Sequence, residues 1–417
     1  MRIQREIYLN QLISGMHNGL IKVVTGIRRS GKSYLLFKLF REYLHSQGVD
    51  DKHIIALALD DVLNEEYLQA KALVLYIKSQ ITDSNMHYVL LDEVQMVDGF
   101  VKALNSLLHI DNVDVYVTGS NSKFLSSDIA TEFRGRGDEI HVWPLTFAEY
   151  TSAFQGSKED AWRNFSTYGG LPQILSFDSV QKKMEYLRNV YQTTYLRDLI
   201  ERNDIKKTSE FDTLTRIIAS SIGTSTNPSK LSNTFRSVEK VDLSHETICR
   251  FLDYLQDAFV IEKALRYDIK GKKYIGTLPK YYFSDIGVRN ALLDFRQIEE
   301  THIMENIIYN ELRTRGFLVD VGSVEVRTRE GANNPTRRQL EVDFVCNYGS
   351  NRYYIQSALS MPTQEKIEQE SASLRNIADS FKKIIIVKDN IEPYHNEQGI
   401  LIINLFDFLL NPNSIRE

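Results

Sequence analysis

The amino-acid sequence predicts an α/β protein whose N-terminal part is a parallel sheet wrapped by helices. From about residue 20 to about residue 145, short apolar segments typical of buried strands alternate with segments whose apolar residues recur at helical spacing. A glycine-rich loop follows the first of these strands, Ile21 to Thr25, and leads directly into a helix. The chain therefore runs strand, tight loop, helix at its most informative point.

The loop fits the phosphate-binding pattern G-x-x-x-x-G-K-[ST]. Its glycines allow backbone N–H groups to turn inward around a polyphosphate, and the following helix adds its unpaired donors and positive dipole end. We expect Lys32 to reach the β- and γ-phosphates of a nucleotide and Ser33 to bind Mg²⁺ through its hydroxyl. Arg28 and Arg29 either contact the nucleotide or are solvated. The predicted nucleotide-binding residues are Gly26, Ile27, Arg28, Arg29, Ser30, Gly31, Lys32 and Ser33.

Two adjacent carboxylates end the next strongly apolar strand, which begins at His87. A hydrolase of Mg·nucleotide needs acidic groups at the tip of a strand beside the phosphate loop. Asp92 is predicted to hold the metal, directly or through water, and Glu93 to act as the general base for the attacking water. The alternative is that both acids only end a buried strand at the solvent boundary.

A further buried strand, Val113 to Thr118, precedes a run of small polar residues. A polar side chain at this strand end is placed to orient the water or to sense the γ-phosphate, and Ser120 and Asn121 are the candidates. Simple turn chemistry is the alternative for both residues.

Together these residues resemble the AAA-type P-loop ATPases, and within them a prokaryotic group in which the ATPase domain is joined to a C-terminal domain of unknown function. The resemblance spans nearly the whole chain. Its motifs here are Gly26 to Ser33, the strand ending at Glu93, Thr118 to Ser122, Phe133 to Arg136 and Tyr168 to Pro172.

The resemblance implies an ATPase that uses ATP and Mg²⁺, with a P-loop NTPase core over residues 1–145 and a helical lid over residues 146–205. Arg134 and Arg136 match the position where such ATPases carry an arginine pair that completes the neighbouring subunit's site, which implies a homo-oligomer. A guanidinium suits that role because it presents a planar fork of donors to phosphoryl oxygens. The alternative is surface pairing with Glu132 or Asp138.

Residues 206–300 resemble a winged-helix module, with a third helix from Ser244 to Asp257 and strands around residues 259–261 and 273–275. Residues 206–280 contain 13 Lys or Arg and 9 Asp or Glu, a net charge of +4 against −5 for the whole chain. This asymmetry favours a surface that faces a polyanion, although winged helices also serve as protein docking units. The candidate nucleic-acid contacts are Arg250, Lys270, Lys272 and Lys273.

Residues 301–417 resemble an α/β domain of the restriction-endonuclease type. Such a nuclease needs a helix Glu, a strand Asp and a Glu-x-Lys on the next strand, since Mg²⁺ requires clustered oxygen ligands. Glu305 or Glu311 fits the helix position and Asp343 fits the strand. The third element has become Gln356 and Ala358, so we expect the domain to be an inactive nuclease.

Composition agrees with an intracellular enzyme of two or three domains, because 417 residues are too many for one core. No apolar run is long enough to span a bilayer, and the first residues lack the apolar core of a signal peptide, so a cytoplasmic protein without membrane contact is predicted. Cys249 and Cys346 form no disulfide framework, and the nine histidines show no metal-ligand spacing.

Two function classes stay open. In the first, the protein is an oligomeric ATP-hydrolysing motor or switch that binds duplex or branched DNA. In the second, it is a nucleotide-dependent switch that recognises a protein partner and does not bind DNA. Salt-dependent DNA binding would favour the first class.

Overall fold

A parallel sheet, here called the N-terminal sheet, organises the first third of the chain. Its five strands are β1 (Ile21–Thr25), β2 (Ile54–Ala58), β3 (His87–Asp92), β4 (Val113–Thr118) and β5 (Gly137–His141). Their spatial order is β2-β3-β4-β1-β5, and every neighbouring pair is parallel. The predicted parallel α/β sheet is thereby confirmed.

The computed structural model describes residues 2–119, 135–274, 276, 278–329 and 335–416. Its contacts divide the chain into two compact units. The first unit comprises Met1–Pro144, Leu171–Ser176 and Asp257–Val260, and the second comprises Leu145–Gly170, Phe177–Gln256 and Ile261–Glu417.

Both faces of the N-terminal sheet are covered by helices, as the continuous apolar strands require. Leu73 and Ile77 pack with Leu104 against one face, and Leu36 packs with Phe40 against the other. The helices of this unit are Glu6–Ser14, Lys32–Tyr34 continued by the π-helical Leu35–Phe40 and by Arg41–Ser46, Ala70–Gln80 and Phe100–Leu107. Single 3₁₀ turns are Asp51–His53, Val62–Tyr67, Val94–Met96 and Pro172–Ser176.

The second unit begins with helices whose starts are capped by side chains. Thr146 forms a capping box with Glu149, and the hydroxyl of Ser244 accepts a hydrogen bond from the Thr247 amide at 3.2 Å. The helices of this part of the chain, most of which have such a cap, are Phe147–Ala153, Lys158–Tyr168, Val180–Asn189 continued by Val190–Leu196 and Arg197–Arg202, Thr208–Ser220, Pro228–Thr234 continued by Phe235–Glu239, His245–Asp257 and Ile286–Leu292.

A mixed sheet of eight strands, here called the C-terminal sheet, completes the second unit. Its strands are β7 (Arg266–Asp268), β8 (Lys273–Tyr274), β10 (Leu318–Arg329), β11 (Pro335–Tyr348), β12 (Asn351–Ala358), β13 (Lys382–Val387), β14 (Tyr394–His395) and β15 (Leu401–Asn404), in the order β14-β15-β13-β12-β11-β10-β7-β8. The accompanying helices are Glu300–Thr314, Gln364–Arg375 and Leu405–Leu410.

The strands expected for a wing separate into two sheets. β6 (Ile261–Ala264) pairs antiparallel with β9 (Lys280–Phe283), whereas β7 pairs with β10 at the edge of the C-terminal sheet. The C-terminal sheet therefore draws strands from both sides of residue 300, where sequence patterning placed a domain boundary. Pairing between strands so distant in sequence is not visible in local periodicity.

No helix within the described ranges combines the length and the apolar character that a bilayer crossing would require.

Candidate functional site

The glycine-rich loop makes tight backbone turns directly after the carboxyl end of β1. Gly26 has φ +133°, and a Cβ at this position would lie 2.2 Å from the carbonyl oxygen of Val142, so no other residue fits. Gly31, at φ +98°, precedes the helix, and its carbonyl accepts a hydrogen bond from the Leu35 amide at 2.9 Å. Gly26 and Gly31, the two glycines of the phosphate-binding pattern, thus allow the backbone turns at the start and at the end of the loop.

Lys32 spans the loop from the first turn of the helix. Its ammonium donates to the carbonyl oxygens of Gly26 at 3.0 Å and Ile27 at 3.1 Å. Burial lowers the pKa of Lys32 to about 8, although the neighbouring charges of Glu93 and Asp92 oppose that shift. The lysine is therefore a desolvated cation whose partners are neutral carbonyls, and an anion can still compete for it.

Asp92 lies at the tip of β3, where two hydroxyl groups donate to its carboxylate. One belongs to Ser33 and the other to Thr118. Asp92 is buried, and this burial raises the pKa of its carboxyl group. A carboxylate next to a serine hydroxyl supplies the hard oxygen ligands that Mg²⁺ prefers, so these residues fit the ion predicted from the sequence.

Glu93 follows β3 with a left-handed backbone conformation, at φ +51°. Its amide donates to the Thr118 hydroxyl at 3.0 Å, and the side-chain amide of Gln95 donates to its carboxylate. A left-handed glutamate is an uncommon conformation that surrounding contacts must hold, and such conformations concentrate at functional sites.

Thr118 connects the two acids, because its single hydroxyl donates to Asp92 and accepts from the Glu93 amide. No role was predicted for Thr118 from the sequence; the candidates there were Ser120 and Asn121, two and three residues further along the chain. Those two residues, like Arg134, lie outside the described residues. The sequence feature that could have indicated Thr118 is its position as a polar residue at the end of β4, the strand next to β3. We refer to Lys32, Ser33, Asp92, Glu93 and Thr118 as the loop cluster.

A second contact fixes the start of the loop from β5. The Thr25 hydroxyl donates to the Glu139 carboxylate at 2.8 Å and contacts His141 Nδ1 at 3.1 Å. Burial raises the pKa of Glu139. Since Thr25 directly precedes Gly26, this network, which sequence patterning did not reveal, positions the first turn of the loop.

The middle of the loop carries its two arginines at different exposures. Arg28 is half-buried, and its charge adds to the lowering of the Lys32 pKa, whereas Arg29 is exposed at φ +69°. Ser30 is buried, and its hydroxyl has no hydrogen-bond partner in the described parts of the chain. An orphaned buried hydroxyl in a phosphate loop is a donor that a ligand oxygen can satisfy.

Arg136 lies at the edge of the N-terminal sheet where the parallel strands begin, whereas the loop lies at the edge where they end. Arg136 precedes β5, its carbonyl accepts from the Ile21 amide at 2.9 Å, and its guanidinium donates to the Asn105 side chain at 3.2 Å. Because β5 runs parallel to β1, the length of the strand, about 16 Å, separates this edge from the loop. Arg136 therefore does not reach the loop of its own chain.

The turn Pro172–Ser176, part of the segment expected to act as a lid, groups with the first unit. A Cβ on Gly31 would lie 3.8 Å from Cγ of Pro172. The end of the Tyr168 to Pro172 motif is thus next to the phosphate loop.

A separate cluster of charged residues lies in the second unit, where it was expected for a nuclease-like fold. Lys280 Nζ contacts Glu305 at 3.0 Å and Glu341 at 2.7 Å, and the Tyr282 hydroxyl donates to Glu305 at 2.7 Å. Burial alone lowers the pKa of Lys280, but the charges of Glu305, Asp343 and Glu341 together raise it above its usual value. The sequence did not indicate Lys280, which comes from β9. The C-terminal cluster is Lys280, Glu305, Glu341, Asp343 and Gln356.

Asp343 receives its hydrogen bonds from neutral groups in this cluster. The Gln356 side-chain amide donates to Asp343 at 3.0 Å and the Ser357 amide donates at 2.8 Å. Burial and the charge of Glu305 raise the pKa of Asp343 well above its usual range. Gln356 therefore donates to Asp343 from the position at which a nuclease of this type would supply an anionic oxygen to a divalent metal.

Of the two helix candidates, the structure places Glu305 in this cluster and not Glu311. The Glu311 carboxylate instead accepts from Arg315 at 2.7 Å, and burial raises its pKa. The two positions are six residues apart and lie on different faces of the helix, but the sequence does not show which of these faces meets Asp343, so both candidates stayed open.

The basic residues proposed to contact nucleic acid are all exposed. Arg250 lies on the helix His245–Asp257, and the three lysines lie in or beside the hairpin of β7 and β8. Lys270 donates to the carbonyl oxygen of Glu325.

Comparison with known sequences separates the chain into two matched regions. The model of a family described as an AAA domain matches residues 18–151, and that of a domain of unknown function (DUF8612) matches residues 159–299. An uncharacterized protein of Haemophilus influenzae is 33% identical over 414 residues, covering 98% of each chain. An uncharacterized protein of Methanocaldococcus jannaschii is 28% identical over 378 residues, covering 86% of this chain and 79% of that one.

Among solved structures, a Walker-type ATPase of Pyrococcus abyssi is similar with a TM-score of 0.50 and 15% sequence identity, covering 70% of this chain and 96% of that chain. At this identity the similarity concerns the fold alone. It agrees with the P-loop architecture described above.

Proposed function

This chain, an AAA-type P-loop ATPase domain followed by a domain of unknown function, belongs to the same family as the Haemophilus influenzae protein, and we propose that it binds and hydrolyses Mg·ATP in the loop cluster. The observation that carries the proposal is the pair of Thr118 hydrogen bonds. They hold Asp92 and Glu93 together beside the helix that begins with Lys32 and Ser33.

Each residue of the loop cluster then has a separate role. Lys32 provides positive charge to the terminal phosphates, and Ser33 with Asp92 would hold Mg²⁺. When bound, Mg²⁺ supplies a Lewis acid that neutralises phosphate charge. Glu93 orients a water molecule and accepts its proton, while Thr118 and Gln95 fix the orientation of Glu93.

The test is ATP binding and phosphate release by the full-length chain with and without Mg²⁺. Removing the charge in Lys32→Ala is expected to weaken ATP binding by about 100-fold, since hydrogen bonds to charged groups contribute about 1.5–3 kcal/mol each. Lys38→Ala is the matched control, because Lys38 lies on the same continuous helix but pairs with Glu42 at 3.1 Å on the surface. ATP binding that survives Lys32→Ala would refute the assignment.

We further propose that the active form is a homo-oligomer in which Arg136, with Arg134, acts on a neighbour's nucleotide. The position of Arg136 across the sheet from its own loop supports action between chains. Arg136→Ala should leave ATP affinity intact and lower turnover, because an arginine finger acts on transition-state charge. Mixing Arg136→Ala with Lys32→Ala should restore activity at mixed interfaces. A monomer with full turnover would contradict this proposal.

For the second unit we propose binding of duplex or branched DNA through the exposed residues Arg250, Lys270, Lys272 and Lys273. The net charge of +4 over residues 206–280, in a chain of −5 overall, supports a polyanion as the ligand. Fluorescence anisotropy with duplex and junction DNA over a salt series tests the idea.

Neutralising the three lysines together should weaken DNA binding and flatten its salt dependence, because fewer counterions are released. A variant that neutralises Lys71, Lys78 and Lys102 is the control, since it removes the same charge from exposed positions in the first unit. Equal effects of the two triple variants, or no DNA binding at all, would favour the alternative switch that recognises a protein.

A further inference from the structure

Three metal-ligating side chains meet at one corner of the N-terminal sheet, away from the loop cluster. His87 is the first residue of β3, and His53 immediately precedes β2. The two strands are adjacent and parallel, with Ile54 opposite Tyr88, so the histidines lie side by side. Their ring centroids are 5.0 Å apart. Asp83, in the loop before β3, completes the group.

His87 carries an unused lone pair in this group. Its Nδ1 contacts the carbonyl oxygen of Asn85 at 2.8 Å, and since a carbonyl can only accept, Nδ1 carries the proton. In the neutral ring Nε2 is then an acceptor. This nitrogen is buried in a residue with 0% exposure, and no group of the described residues bonds to it. When a histidine ligates a metal through one ring nitrogen, the other ring nitrogen usually donates to a group such as a backbone carbonyl, as Nδ1 of His87 does here.

Asp83 is held toward the histidines by its own loop. Its carboxylate lies 3.0 Å from His53 Nε2, and its Oδ1 accepts from the Asn85 amide at 2.9 Å. The side-chain amide of Asn112 donates to the carbonyl oxygens of Asp83 and Asn85, both at 3.0 Å. The Asp83 side chain remains 33% exposed, which leaves an entry path from solvent.

We propose that His53, Asp83 and His87 bind one transition-metal ion, with Zn²⁺ as the best match. One potential ligand atom from each residue lies within 4.8 Å of the others. Ligand atoms around a tetrahedral Zn²⁺ at 2.0–2.2 Å are roughly 3.3 Å apart, so small side-chain rotations close the site. Two imidazoles and one carboxylate are a set of three protein ligands found at zinc sites, and a water molecule would occupy the fourth position.

A plain ion pair accounts for only part of this geometry. The pairing of His53 with Asp83 satisfies two of the three groups, but within the described part of the chain it leaves His87 Nε2 buried and without a hydrogen bond. An unsatisfied buried acceptor is unfavourable by about 1–3 kcal/mol, whereas a metal ion satisfies all three groups at once. The nine histidines showed no ligand spacing in the sequence because the site is assembled across two strands.

The test uses the full-length protein without an affinity tag, treated with a chelator that is then removed. Titration with Co²⁺ should give visible ligand-field bands that saturate at one ion per chain and disappear when one equivalent of Zn²⁺ is added. His53→Gln and Asp83→Asn should each lower the affinity by more than about 100-fold, since even residues behind the ligands change affinity by 10–100-fold.

His45→Gln is the matched control. His45 also contacts an aspartate, Asp51 at 3.3 Å, but it is exposed, and among the described residues it belongs to no group of three potential metal ligands. The His45→Gln variant should bind Co²⁺ like the wild type. Because a change at the buried His87 risks misfolding, the decision rests on Asp83→Asn, whose circular dichroism spectrum should match the wild type. A folded wild type without stoichiometric Co²⁺ binding, or full binding by Asp83→Asn, would overturn the proposal.

Discussion

The loop cluster and the C-terminal cluster both combine a buried lysine with carboxylates, but the hydrogen-bond partners of these groups differ. Lys32 donates to neutral carbonyl oxygens and Asp92 accepts from neutral hydroxyls. Lys280 instead bonds directly to Glu305 and Glu341. Lys32 therefore remains open to an anionic ligand, whereas Lys280 is already paired with two carboxylates.

The pKa directions of the two lysines follow from this contrast. Burial lowers the pKa of Lys32, while burial at Lys280 is outweighed by nearby carboxylates. A desolvated cation whose hydrogen bonds go to neutral carbonyls is poised to bind an anion, and a cation that is hydrogen-bonded to carboxylates stabilises the fold. Residue type alone does not separate a binding site from a structural ion pair.

The largest expected effect is on turnover at the loop cluster. Glu93→Gln should lower the rate of ATP hydrolysis by about 10²–10⁴-fold and leave ATP binding nearly unchanged, because general base catalysis contributes that much. Glu341→Gln makes the same chemical change in the C-terminal cluster and should leave turnover intact. Steady-state phosphate release measures both. Wild-type turnover in Glu93→Gln would show that the assignment of the base is wrong.

Exchanging the two lysines for methionine separates binding from stability. Lys280→Met should reduce the free energy of unfolding by about 3–5 kcal/mol, because it leaves buried carboxylates without their cation. Lys32→Met should weaken ATP binding by about 100-fold without reducing stability, because the variant removes a desolvated charge. Denaturant unfolding and ATP titration are measured on both variants. A Lys280→Met variant with the wild-type free energy of unfolding would contradict the difference drawn here between the two clusters.

A smaller effect is expected when the pH rises from 7 to 9. Phosphate binding favours the protonated form of Lys32, so ATP affinity should fall as this lysine loses its proton near pH 8. The expected loss between pH 7 and pH 9 is about tenfold. Calorimetry at pH 8 in two buffers of different ionisation enthalpy should detect proton uptake on binding. A flat affinity profile would mean that Lys32 has its ordinary pKa.

The C-terminal cluster itself is expected to show no metal chemistry. Purified wild type should not cleave single-stranded, duplex or junction DNA in Mg²⁺, because Lys280 and Gln356 occupy the carboxylates. Asp343→Asn serves as the comparison and should behave identically. Cleavage that disappears in Asp343→Asn would show that this cluster is an active nuclease site.

Local sequence patterns predicted the two parts of the loop cluster separately. Gly26, Gly31, Lys32 and Ser33 lie within one short loop, and Asp92 and Glu93 follow one another at the end of one strand, so each part is visible in the spacing along the chain. The parallel sheet was predictable for the same reason, since its strands are uniformly apolar and alternate with helices.

The contacts between residues that are distant in sequence became visible only in the folded chain. Thr118 contacts Asp92 because β4 pairs with β3, and Lys280, on β9, contacts Glu305 on the helix Glu300–Thr314. The group at His53 and His87 depends on the register of β2 against β3, as the joining of β7 to β10 depends on the C-terminal sheet. Strand order and register are set by packing over the whole core, and local periodicity carries no record of them.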